Sequence, residues 1–173
     1  MKVKLRDELA GLSKEQLVDY AEMMTKNWWN LQNNWMLQVS RRFGSEVAAE
    51  FDALVFGRQA EVQARRLKKL FSLGDDIQSL VRAVNLSTLL SNVEFEYVNI
   101  GDKSCRIRVT SCSMQLARRE AGLPELPCKV AGMEANSRFA LAINPRIKTT
   151  CIVCPPDKHP DDIWCEWEFT IPE

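Results

Sequence analysis

Val93-Glu94-Phe95-Glu96-Tyr97, then a turn at Asn99-Ile100-Gly101-Asp102, then Cys105-Arg106-Ile107-Arg108-Val109-Thr110: here the chain changes its hydrophobic period. Upstream, apolar residues recur every three or four positions. Within this stretch they alternate, which predicts a hairpin with one buried face. Cys105, Ile107 and Val109 share the apolar parity, and Glu94 and Glu96 are expected across from Arg106 and Arg108 on the solvent face.

Upstream, Ser13 and Gln16 form a capping box that opens a helix of roughly 30 residues. Its apolar stripe is Leu17, Ala21, Met24, Trp28, Leu31, Trp35 and Val39, and Gly44 follows its end. A second helix runs from Ser45 to about Leu70, with Val47, Phe51, Leu54, Val55, Val62, Leu67 and Leu70 as its stripe. Gly57 in its middle suits a close helix approach. Arg65-Arg66-Leu67-Lys68-Lys69 reads as a solvated last turn. Asp75 and Asp76 cap a third helix carrying Ile77, Leu80, Val81 and Val84. Up to Asn92 no period dominates.

Downstream, a short helix from Met114 to Ala121 stops at Gly122, and a rigid loop through Pro124 and Pro127 leads to Cys128. A further helix runs to Ile143, with Gly132 as a point where it could break. Strands over 146–154 and 163–171 complete the sheet, the second with Cys165, Trp167, Phe169 and Ile171 on one face. The pattern is α+β: long antiparallel N-terminal helices, then a ββααββ antiparallel-sheet unit. A single domain is expected over residues 1–173, with a helical part over 1–92 and a Cys-rich α+β part over 93–173.

The formal net charge is zero, from 23 basic and 23 acidic residues, which argues against nucleic acid and against a polybasic membrane-surface protein. The first residues are charged where a signal peptide is apolar, and no stretch approaches a spanning helix. A cytoplasmic protein is expected, in which six cysteines read as buried residues, metal ligands or redox groups rather than disulfides.

Chemistry concentrates in Cys151-Ile-Val-Cys154-Pro-Pro-Asp157-Lys-His159, which holds the only histidine, and in the cysteines around it. Cys105 and Cys151 fall on apolar strand parity and read as core. Cys112 and Cys128 lie at helix N-termini, where unpaired N–H groups favour a thiolate. With Cys154 and Cys165 they make a four-sulfur set suited to zinc or, less well, to an iron–sulfur cluster. His159 among acids reads as a loop residue, or else as a general base or metal ligand. On the first long helix, Trp28, Asn33 and Trp35 are candidate pocket residues, with ring faces for stacking and an amide for hydrogen bonding; the other reading is a solvated face beside a packed tryptophan stripe.

Thr110-Ser-Cys112-Ser-Met-Gln115, Gly122-Leu-Pro-Glu125, Cys128, Pro145-Arg-Ile147 and Trp164-Cys165-Glu-Trp-Glu-Phe169 resemble a family of prokaryotic cytosolic proteins similar to the L-2-amino-thiazoline-4-carboxylic acid hydrolase-like proteins. More distantly they resemble the 4-vinyl reductase-type domain. The resemblance covers residues 90–171 and singles out Cys112, Cys128 and Cys165. It implies a hydrolase of a cyclic C–N bond or, from the more distant likeness, zinc held by C-terminal cysteines and a small hydrophobic ligand.

Two functions follow. The first is a small-molecule or metal site built on clustered cysteines, in its enzymatic form a C–N hydrolase with Cys112 as nucleophile and His159 as base. The alternative is a non-catalytic ligand- or metal-binding module, a sensor or accessory protein that forms a homodimer through the Trp stripe. A third reading makes the cysteines plain core in an interaction protein.

Overall fold

The computed structural model describes residues 4–173. Ten elements follow in order: α1 Leu5–Ala10, α2 Lys14–Phe43, α3 Ser45–Leu70, α4 Ile77–Asn85, β1 Val93–Ile100, β2 Ser104–Cys112, α5 Ser113–Glu120, α6 Lys129–Ile143, β3 Lys148–Val153 and β4 Cys165–Thr170. The architecture is α+β, as the sequence predicts. The capping box is formed: Ser13 Oγ accepts from the Gln16 N–H, and Gln16 Oε1 from the Ser13 N–H. Gly44 links the two long helices at φ 92°, a left-handed value that suits glycine.

The sheet is antiparallel in the order β1-β2-β4-β3. Cys105, Ile107, Val109, Trp167 and Phe169 are buried on its inner face. Burial pushes the Cys105 thiol up to about 12, so this cysteine is core. Helix α6 lies on that inner face with Ala135, Phe139, Ala140 and Ile143, and α4 adds Ile77, Leu80 and Val84 to the same core. Gly132 leaves α6 unbroken and lets it settle on the sheet. A Cβ there would stand 2.6 Å from Trp167 Cζ2, so any larger residue forces the indole aside.

Helix α3 packs behind α6 through its small residues, Ala53, Gly57, Ala60 and Ala64. At Gly57 a Cβ would lie 3.1 Å from the Glu134 Cβ, the close approach that the mid-helix glycine suggested. The expected stripe of α3 is corrected by this packing. Phe51, Leu54, Val55 and Leu70 are exposed, because small side chains bring two helix backbones together where large ones hold them apart. Helix α2 is corrected in the same way. Leu17, Met24, Leu31 and Trp35 of its stripe point outward, and the buried residues are Trp29 and Met36.

The outer face of the sheet is ionic. Arg108 pairs with Glu96 as expected, at 3.3 Å. Arg106 does not meet Glu94, which stands opposite Ser111; the register places Arg106 beside Glu168 at 2.8 Å and near Glu166 at 3.5 Å.

Candidate ligand-binding site

The cavity lies where α2, the start of α5, and the Leu126–Cys128 approach to α6 meet. An outer chamber of about 340 Å³ is lined by Asn33, Met36, Leu37, Ser40, Ser113, Met114, Ala117, Arg118 and Leu126. An inner chamber of about 80 Å³ is lined by Trp29, Gln32, Met36, Asp52, Phe56, Met114, Cys128, Ala131 and Gly132. Met36 and Met114 belong to both and form the neck between them. Methionine is flexible and polarisable, so this neck can adapt to an occupant.

Each wall has a local cause. Trp29 is fixed because its indole N–H donates to the Thr88 carbonyl and to Ser91 Oγ, both at 2.9 Å. Its ring meets Phe56 at 5.8 Å, and Trp28 stacks on the same Phe56 at 5.9 Å. Gln115 is buried and holds the loop before α6. Its amide donates to the Leu126 carbonyl at 2.9 Å and to Cys128 Sγ at 3.3 Å, and its Oε1 accepts from the Leu126 N–H at 2.9 Å. The first residue of α6 is anchored by the Lys129 N–H donating to the Pro155 carbonyl at 2.9 Å.

The polar groups around the cavity are unequal in their satisfaction. Asn33 Oδ1 is buried and has no hydrogen-bond partner among the described residues. Asp52 accepts a hydrogen bond from Gln32 Nε2 and takes part in no ion pair among the described residues. Burial raises the Asp52 carboxyl to about 6, with the Gln32 hydrogen bond pulling the other way. Ser113 donates to the Asn92 carbonyl at 3.0 Å, and the Arg118 Nε–H to the Pro124 carbonyl at 2.7 Å.

The residues singled out from sequence divide. Asn33 lines the outer chamber and Cys128 the inner one. Trp28 lies on the outer side of the hairpin, against surface depressions shared with Leu31. Trp35 is 57% exposed beside Arg42 and Phe43, away from the cavity. Trp29, Gln32, Met36, Asp52 and Gln115 carry the site without having been singled out for it. Trp29, Gln32, Asn33 and Met36 follow three-to-four helical spacing, but the larger apolar stripe beside them hides that signal.

Cys112, Cys128, Cys154 and Cys165 do come together, close enough that Cys128 feels Cys112 and Cys165, and Cys154 feels Cys128 and Cys165. All six cysteines are free thiols. The thiolate expected at the two helix N-termini is corrected by burial. Desolvation pushes both Cys112 and Cys128 up, although the Gln115 and Met114 N–H groups favour ionised Cys112. Cys154 stays protonated because of its hydrogen bond to Cys165 and its burial. Soft sulfurs suit zinc or an iron–sulfur cluster, but among the described residues no three His, Cys, Asp or Glu side chains are placed to hold a metal ion. His159 is occupied elsewhere: Nδ1 bonds the Pro160 carbonyl at 2.8 Å and Nε2 bonds Glu125 at 3.2 Å, while the ring leans on Trp164. Those partners raise its pKa, the Pro160 carbonyl first. No hydrogen bond joins His159 to Cys112 among the described residues.

Fold and site together define an α+β domain in which a helical hairpin closes a small, mostly apolar cavity against a sheet-backed helix. Residues 10–171 match DUF6125, a family of unknown function, and the chain belongs to that family. No curated protein matches its sequence. Among solved structures it is similar to the phenol-responsive sensory domain of the transcription activator PoxR with phenol. The TM-score is 0.56 at 13% identity, over 99% of this chain and 92% of that one, which establishes likeness of fold. No helix among the described residues is long and apolar enough to cross a membrane.

Proposed function

We propose that this chain is a non-catalytic ligand-binding module of the sensor or accessory type, taking a small molecule with an apolar body. The observation that carries this reading is the cavity itself, about 340 Å³ and walled mostly by apolar side chains with a few polar ones, Asn33, Ser40, Ser113 and Arg118, among them. A volume of that size, apolar with a few polar groups, is ordinary for a ligand site. The fold it shares with a domain that responds to phenol points the same way. The hydrolase reading lacks comparable support, since Cys112 is held as a thiol and His159 has both ring nitrogens engaged.

A homodimer belongs to the same proposal. Met24, Trp28 and Leu31 of α2 share surface depressions, and Leu31 shares another with Leu54 and Val55 of α3. These exposed or half-buried apolar side chains lie along two long helices, among polar ones such as Gln59, in a chain with no net charge to oppose self-association. A second copy packed hairpin to hairpin would cover them.

Calorimetric titration with phenol, benzamide, benzamidine and benzoate tests the binding reading, with Met36→Trp as the blocked control. At least one probe should bind the wild type, and the indole at position 36 should weaken that binding about tenfold or more by filling the neck. If no probe binds, or if Met36→Trp leaves binding unchanged, the cavity is not a ligand site.

A further inference from the structure

We infer that the inner chamber selects its ligand by a cationic or N–H-rich head group, and that Asp52 is the residue that receives it. This rests on the ligand-binding reading and adds the chemistry of the ligand.

The geometry points to a divided ligand. At about 80 Å³ the inner chamber is smaller than the roughly 150 Å³ apolar cavity that takes a benzene ring. It therefore admits a head group, while the ring lies at the Met36–Met114 neck and in the outer chamber. The polar side chains at the inner end are Gln32, Asp52 and the Cys128 thiol. The Trp29 N–H is already spent on Thr88 and Ser91, and Gln32 already donates to Asp52. What is left for a ligand at the inner end is mainly acceptor capacity, from the carboxylate of Asp52. Arg118 lines only the outer chamber, so the positive side chain and the negative one lie at different ends of the cavity.

Charge sharpens the choice. Gln32 from α2 and Met114 from α5 are neutral, and burial keeps Cys128 a neutral thiol at the start of α6. With a pKa near 6 for its cause of burial, Asp52 is mostly ionised at neutral pH and has no cation beside it. A ligand ammonium or amidinium supplies that charge and forms the charge-assisted hydrogen bonds that a carboxylate accepts. Trp29 and Phe56 in the same wall are aromatic neighbours of the kind a cation favours. An anionic head group would be repelled by the Asp52 carboxylate, with no cationic side chain in the inner chamber to offset it.

The test is the affinity order of three probes of nearly one shape: benzamidine (cation), benzamide (neutral) and benzoate (anion). They are titrated into the wild-type protein and into Asp52→Asn. Benzamidine should bind the wild type about tenfold or more tighter than benzamide, with benzoate weakest. In Asp52→Asn the advantage of benzamidine should vanish while benzamide binding changes little. Acidification of the wild type from about pH 7.5 to about pH 5 should weaken benzamidine selectively, because protonated Asp52 no longer attracts it. Equal or tighter binding of benzamide or phenol, with all probes changed alike by Asp52→Asn, overturns the head-group inference and leaves the cavity reading intact. Failure of every probe to bind the wild type overturns both.

Discussion

Two buried or half-buried carboxylates are treated differently in this fold. Glu166 on β4 is only 4% exposed, and two guanidiniums reach it: Arg108 at 2.6 Å and Arg106 at 3.5 Å. Asp52 on α3 is half-buried, receives one amide hydrogen bond from Gln32, and makes no ion pair among the described residues. Burial of a charge is tolerable when it is paired and bonded, and costly otherwise. Glu166 therefore reads as a finished piece of sheet structure, completing a ladder of opposite charges across β1, β2 and β4. Asp52 reads as a group whose partner arrives from outside the chain.

Removal of each carboxylate separates the two. Glu166→Ala should have the largest effect, a loss of about 3 kcal/mol in unfolding free energy, since it strips a buried partner from two cations; the solvent exposure of those arginines keeps the loss at the low end. Urea denaturation measures it, and an unchanged midpoint would mean the outer-face ladder is ornamental. Asp52→Asn should move the other way, towards higher stability at neutral pH, by about 2 kcal/mol.

The sign follows from the raised carboxyl, from 3.8 to about 6. The folded state holds the Asp52 proton more tightly than the unfolded chain does. The stability this contributes is fully present below the unfolded value and is lost as pH rises through about 6. Denaturation of wild type against Asp52→Asn across that window should show a gap that opens with rising pH. A gap that closes instead would mean the carboxylate has a cationic partner after all. The smallest effect on the folded chain itself is expected at the outward face of α2. Leu31→Asp should change intrinsic stability by no more than about 0.5 kcal/mol yet convert a dimer to monomer, as read by sedimentation. Unaltered sedimentation would mean the exposed stripe is not the self-association face.

Element boundaries were legible where local chemistry sets them. Ser13 with Gln16, Gly44, Asp76 and the alternation from Cys105 to Val109 each act within a few residues, and each element formed as expected. Cys112 and Cys128 also stand at the helix starts where the sequence put them. The protonation of Cys112 and Cys128 was not legible in the same way. A helix N-terminus acts locally and favours thiolate, whereas the desolvation that outweighs it comes from elements far along the chain.

The sequence by itself determined the α+β class, the capped ends of the helices and the inner parity of the sheet. Only the tertiary structure decided which way α2 faces. Leu17, Met24, Leu31 and Trp35 of its apolar stripe turn out to be exposed, and Trp29, Gln32, Asn33 and Met36 line the cavity. The reason lies in partners far along the chain: Thr88 and Ser91 hold the Trp29 N–H, and Met36 packs with Ala48 and Leu126. Asp52 could not be recognised from its neighbours in sequence, because what marks it is a missing counter-charge, and that depends on every element packed around it.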